Sequence, residues 1–259
     1  MTIDFSTATI EDCVASLEEE LRAFPHKSEH HFADSAAFSL GLDVLEHAKA
    51  VALLMLSAVP RSGFSNARSA FESALDLAFL TSDVMQYDMR GALLHVHEVH
   101  EDVRLQGKMA KADVSNGFEA RETPDLASVL EARTTSVWGT NSAQASMLRN
   151  ATAEFLQRPK EKQKTWSGHN RVQLAKEMLK AIGEPEELAD LMTVTYSDLS
   201  ARSHPKMRMH QREWSVIEDG SIEVTSKPSD FSEPASLAIL ACSAAIPALA
   251  RRRAFFSAT

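Results

Sequence analysis

The stretch ARSAFESALDLAFL, Ala67 to Leu80, reads as one strongly apolar helix that carries an arginine and a glutamate on its hydrophobic side. At about 100° per residue, Phe64, Phe71, Leu75, Ala78 and Phe79 form a single stripe. On the same wheel Arg68 falls within about 20° of Leu75, and Glu72 within about 20° of Phe79. A guanidinium desolvated there without partners costs on the order of several kcal/mol. Glu72, one turn on from Arg68, is therefore expected to pair with it, and a second partner is expected from another helix.

Working outward, the flanking sequence is helical as well. Residues 9–23 put Cys13, Leu17 and Leu21 on one side and stop before Pro25. Residues 35–59 run through Phe38, Leu42, Leu45 and Ala48 to the apolar run Val51–Leu56, with Pro60 closing the segment. The short connection Arg61-Ser62-Gly63 makes this helix and the quoted one antiparallel neighbours. Residues 88–109 place Met89, Leu93, Val96, Val99 and Val103 on one face. Residues 107–168 are more polar, broken by Gly107, Gly117, Pro124, Gly139 and Pro159, and are expected as a helical insertion with patterns near 125–134 and 143–157.

Beyond Trp166 the helical period returns. Asn170–Ile182 is expected to end at Gly183, and Pro185–Ser203 to end before Pro205. Residues 212–225 alternate around Asp219-Gly220, the signature of a two-residue hairpin turn. A last helix is expected over 232–256. The fold class is thus all-α: a single helical bundle-like domain over 1–259, with the inserted segment and one small β-hairpin.

Composition narrows the function classes. The 259 residues are 44% hydrophobic and 7% aromatic, with nine glycines and nine prolines, which suits helices over a β sandwich or barrel. The net charge of −9 opposes a broad basic surface that coats nucleic acid. Cys13 and Cys242 read as free thiols in a reducing compartment, and Met1-Thr2-Ile3-Asp4 lacks the basic-then-apolar pattern of a secretory signal, so a cytoplasmic location is expected. Val51–Leu56 is too short to cross a membrane. Ala235–Ala250, interrupted by Ser236, Ser243 and Pro247, also falls short of about 20 apolar residues, so no membrane partner is expected. Arg251-Arg252-Arg253 complements the dipole of the last helix.

Tyr196, Ser200 and His204 stand at i, i+4 and i+8, so their polar ends line one side of a helix. Because Pro205 disfavours the α conformation before it, His204 sits at the helix boundary, where the negative end of the dipole favours an imidazolium. Such a group can donate to a phosphate or exchange a proton near neutral pH. This row is the expected source of the second partner for Arg68. His95, His97 and His100 are near one another on one helix, but His97-Glu98-Val99-His100 departs from the H-E-x-x-H zinc pattern. There is no glycine-rich nucleotide loop, no G-x-S-x-G and no cysteine pair at zinc spacing, so neither a cofactor nor a metal is expected.

The RSAFE segment (Arg68–Glu72), Trp166 ahead of a helix, and YSDLSARSHP (Tyr196–Pro205) together resemble an uncharacterised bacterial all-helical family of unknown function. That family is distantly similar to the HEPN superfamily, many of whose members are metal-independent ribonucleases of toxin and phage-defence systems. The resemblance implies an RNA substrate, with His204, Arg68, Glu72, Tyr196 and Ser200 as the catalytic set. Two function classes stand: a ribonuclease built on that set, or a binding or assembly protein in which the same cluster is a structural lock. Self-association is expected in either case through the apolar hairpin of the helix over 35–59 and the quoted helix that follows Arg61-Ser62-Gly63.

Overall fold

The computed structural model describes residues 9–24, 31–56, 60–116, 124–140, 142–183, 185, 189–190, 194, 212–216, 222–226 and 232–256. The elements among them run α1 (Ile10–Arg22), α2 (His31–Leu56), α3 (Pro60–Leu80), α4 (Tyr87–Ser115), α5 (Leu126–Trp138), α6 (Ala143–Gln157), α7 (Arg171–Ile182), β1 (Arg212–Val216), β2 (Ile222–Ser226) and α8 (Ser232–Phe256). The chain forms two compact units, one of Met1–Pro25, Phe38–Ser82 and Arg171–Thr259, the other of His26–Ala37 and Asp83–Asn170. Where the sequence pointed to one domain with an insertion at 107–168, the second unit instead takes in all of α4 and the start of α2.

In the first unit, α1 begins with a capping box: the Thr9 hydroxyl accepts from Asp12 N, and the Asp12 carboxylate accepts in return from Thr9 N. Its apolar side buries Ile10, Cys13, Leu17 and Leu21, spaced three and four apart. α8 lies against α1, α3 and α7. It does so with small side chains, Ala238, Ala241, Ala244, Ala245 and Ala248 all being fully buried. α3 answers with buried Ala67, Ala70, Ala74 and Ala78 beside Phe71 and Leu75. Small residues on both helices let the axes approach closely, at the cost of any tolerance for larger side chains.

By length and composition Pro234–Ala254 is long and apolar enough to cross a membrane, which corrects the shorter span expected from its serines and proline. In the structure 56% of that window is buried inside the protein. The three arginines within its last turn do more than complement a dipole. Arg252 is buried and stacks over Phe24 at 5.4 Å, and Arg253 pairs with Glu20 on α1. Arg251 is largely desolvated in the field of Glu177 on α7, and burial pushes its guanidinium below the usual arginine range. Both thiols are buried and unbridged, and burial pushes Cys242 up to about 12, so it stays protonated and unreactive.

The second unit has its own core, in which Phe32 from the start of α2 meets Ala92, Val96 and Val99 of α4, Leu130 of α5, and Leu148 and Phe155 of α6. Asp125 and Ser142 cap α5 and α6 through Ser128 N and Ala145 N. Gly139, at φ 71°, ends α5 in the left-handed region that favours glycine. The start of α2 is fixed by two contacts: the buried Tyr87 hydroxyl donates to Asp34 at 2.8 Å, and Gly91 of α4 lies against the backbone of Ala33.

The all-α class holds, but the expected compact β-hairpin is corrected. β1 and β2 are antiparallel with Arg212 opposite Ser226 and Val216 opposite Ile222. A two-residue turn at Asp219-Gly220 needs Glu218 opposite Ser221, and that register is offset by one position from the ladder observed. The pairing of the described residues is thus not the register that such a turn sets. Residues 217–221 themselves lie outside the described residues.

Substituting Gly91 tests the second unit. A Cβ there would stand 2.3 Å from Ala33 Cα. Helix propensity alone favours Ala over Gly by about 1 kcal/mol, whereas overpacking against backbone costs about 1–3 kcal/mol or more. Gly91→Ala is expected to lower stability in denaturant unfolding, and a stabilised variant would show that the close approach does not exist.

Candidate functional site

α3 sets the site through an uneven helix surface. Taking Arg68 as zero, its buried alanines with Phe64, Phe71 and Leu75 span an arc of about 200° to 340°, while Ser65, Ser69, Glu72, Ser73 and Asp76 fall between about 40° and 140°. Arg68 and Glu72 therefore stand at the border of the two arcs, not within the apolar one. Their side chains are 30% and 26% exposed, so the pair is partly open to solvent and not desolvated inside the apolar stripe. Phe79 and Leu80 make the helix look apolar all round only near its C-terminal end.

The predicted pair forms. Arg68 Nε and Nη2 donate to Glu72 Oε1 at 3.2 and 3.3 Å. The same oxygen accepts from Arg171 Nη2 at 2.9 Å, so a residue 99 positions away supplies the inter-helix contact. Arg171 is 41% exposed. Tyr196, Ser200 and His204, expected as the partners, lie outside the described residues. Two guanidinia gathered on one partly exposed carboxylate are held in a fixed orientation by charge-assisted hydrogen bonds.

Arg171 was missed in the sequence, although a signal was present. It opens α7, where the positive end of the helix dipole disfavours a cation by a few tenths of a kcal/mol or more, so a basic residue there needs an acidic neighbour. Nearby, His47 Nδ1 on α2 lies 2.9 Å from Asn66 Oδ1 on α3, and Asn66 Nδ2 donates to the Ser62 carbonyl at 2.7 Å. These contacts tie α2 to the N-terminal half of α3.

The histidines of α4 do not assemble a metal centre. His95 packs on Phe32 with centroids 5.5 Å apart, while His97 and His100 flank Phe155. The His97 and His100 centroids are 6.3 Å apart. Two imidazoles sharing a tetrahedral metal would bring them to about 5 Å. Among the described residues no group of three potential ligands could hold an ion. His97 Nε2 and His100 Nδ1 are buried without a hydrogen-bond partner among the described residues, and burial pushes His97 below its usual value despite the opposing field of Glu101.

A model of a family of unknown function matches residues 34–220, a span that holds Arg68, Glu72, Arg171, Tyr196, Ser200 and His204. No curated protein and no solved structure matches the chain.

Two measurements follow from this geometry. A double-mutant cycle of Glu72→Ala and Arg171→Ala is expected to give a coupling of about 0.5–1 kcal/mol that shrinks as salt rises, and zero coupling would show that the bridge is not formed in solution. His97 gives a pH dependence. Because its folded-state pKa lies below that of the unfolded chain, its contribution is intact above about pH 6.5 and is lost as pH falls through the depressed value. Denaturant unfolding is expected to show a second unit that weakens as pH falls below about 6.5, with a smaller loss in His97→Gln.

Proposed function

We propose, from the premise that the chain belongs to the family of unknown function DUF5677, that it is an endoribonuclease of the HEPN-like, toxin or phage-defence type. The observation that carries this reading is the convergence of Arg68 and Arg171 on Glu72 at a partly exposed position. Guanidinia held in a fixed orientation and within reach of solvent suit a phosphodiester, whose oxygens gain charge as the bond to the leaving group breaks. Glu72 is the positioning residue. Arg68 and Arg171 neutralise the phosphate oxygens, and Tyr196 and Ser200 donate hydrogen bonds to it.

His204 is assigned the proton. The ribose 2′-hydroxyl attacks phosphorus, its proton passes to the imidazole, and the departing 5′-oxygen takes up a proton as its bond to phosphorus breaks. The product is a 2′,3′-cyclic phosphate and a 5′-hydroxyl, with no metal-bound nucleophile in the scheme. A cytoplasmic, non-membrane protein is the setting this function needs, since its substrate is there.

A second reading is favoured by the same bridge. Glu72 ties α3 to α7, so the cluster also suits a structural lock in a non-catalytic binding or assembly protein. Thermal unfolding and cleavage assays separate the two. Incubation with single-stranded RNA in the presence of chelator is expected to give cyclic-phosphate ends with wild type. His204→Ala is expected to slow cleavage by about a hundredfold or more with an unchanged melting temperature. If wild type cleaves no RNA, or His204→Ala cleaves as fast, the ribonuclease reading fails. A melting temperature several degrees lower in Arg68→Ala, with no catalysis in wild type, would establish the lock.

A further inference from the structure

Exposed cations of the second unit gather along one line. On α4, His97, His100, Arg104, Lys108 and Lys111 recur at three- and four-residue spacing and form a single row. The row begins inside the protein, where His97 and His100 flank Phe155, and comes to the surface at Arg104. A second basic stretch meets it there. The turn Lys162–Lys164 packs at the buried end of the row, with His97 hydrogen bonded to the Lys164 backbone and lying in the field of Arg104. Glu101 answers Arg104, whose Nε donates to it at 3.0 Å. Lys108, Lys111, Lys162 and Lys164 are exposed and form no ion pair among the described residues.

We propose that this line of lysines holds the phosphate backbone of a single-stranded RNA, as a binding surface made of residues other than the Arg68, Glu72 and Arg171 cluster. The choice of RNA among polyanions rests on the ribonuclease reading. Charge selects the occupant. In a chain of net charge −9, a phosphate strand is repelled by most of the surface and drawn to this row, where lysines without acidic partners displace its condensed counterions. Lys108 and Lys111 are one turn apart, so both meet the same side of a strand laid along α4. A flat anionic membrane fits worse. Leu105 and Met109, exposed beside the row, are the apolar side chains it would take up. Glu98 and Asp102 lie within about 60° of both on the helical wheel, so the anionic headgroups would press on carboxylates.

Fluorescence anisotropy of the full chain with a labelled single-stranded 2′-O-methyl RNA oligonucleotide, which lacks the attacking hydroxyl, tests the proposal. Wild type is expected to bind at low salt and to weaken as salt rises. Lys108→Gln with Lys111→Gln is expected to weaken binding by about tenfold or more, and to flatten the log–log salt slope by about 1.4, two contacts at about 0.7 each. Lys162→Gln with Lys164→Gln repeats the test in the other segment. Lys176→Gln with Lys180→Gln removes the same charge from exposed positions on α7 and is expected to change little. Absence of binding by wild type overturns the proposal, as does an equal loss in the α7 variant, which would make the effect one of net charge. Binding to vesicles of phosphatidylserine and phosphatidylcholine but not to the oligonucleotide overturns it in favour of a membrane. If unmodified RNA stays intact while the lysines still hold the oligonucleotide, the ribonuclease reading fails and this proposal stands. If RNA is cleaved and the lysine variants bind as wild type does, this proposal fails alone.

Discussion

The close packing of α3 against α8 is the constraint on which the first unit rests. Both helices present rows of alanine, and a chain that brings two backbones near one another has no room to turn a polar group inward at the contact. The polar side chains of α3 are therefore confined to the arc facing away from α8. Arg68 and Glu72 stand at the edge of that arc, and Glu72 closes it by drawing Arg171 in from the first turn of α7. The functional proposal depends on this edge, because a fully buried pair could meet no ligand and a fully exposed one would have no fixed geometry.

The second unit solves a different problem. Three short-range helical neighbours, α4, α5 and α6, enclose an apolar centre that is completed by Phe32 and Ala33 from the start of α2. Gly91 admits the α2 backbone, and Tyr87 satisfies the buried Asp34 carboxylate with a hydrogen bond, so that the apolar and polar requirements of one crossing are met within a single turn of α4. The cost is carried by His97 and His100, each with one buried ring nitrogen that makes no hydrogen bond among the described residues, and burial favours the neutral form of His97.

The inward arginines of α8 make a related point about charge. Arg252 and Arg253 reach an aromatic face and a carboxylate, and Arg251 lies in the field of Glu177, so three consecutive identical residues take three different roles. Successive positions on a helix are separated by about 100°, and a run of like residues must therefore face different neighbours. A charge run read as a uniform surface feature conceals that.

The sequence by itself determined the helices, because a 3.6-residue apolar period, a capping box at Thr9 and stops at Gly139 and Gly183 are local properties of the chain. It also determined that Arg68 and Glu72 would pair, since one turn of helix places them together. Only the tertiary structure decided the rest. Arg171 joins them across 99 residues, a separation on which periodicity carries no information, and the hint of a cation at a helix start names no partner. The β ladder differs from the expected hairpin for the same kind of reason: Asp219-Gly220 favours a turn locally, while the pairing of two strands fixes the register along their whole length. The division into two units was likewise hidden, because the helix expected from residue 35 begins at His31 in the structure and its added first turn buries Phe32 with α4, a choice made by packing and not by any break in the pattern.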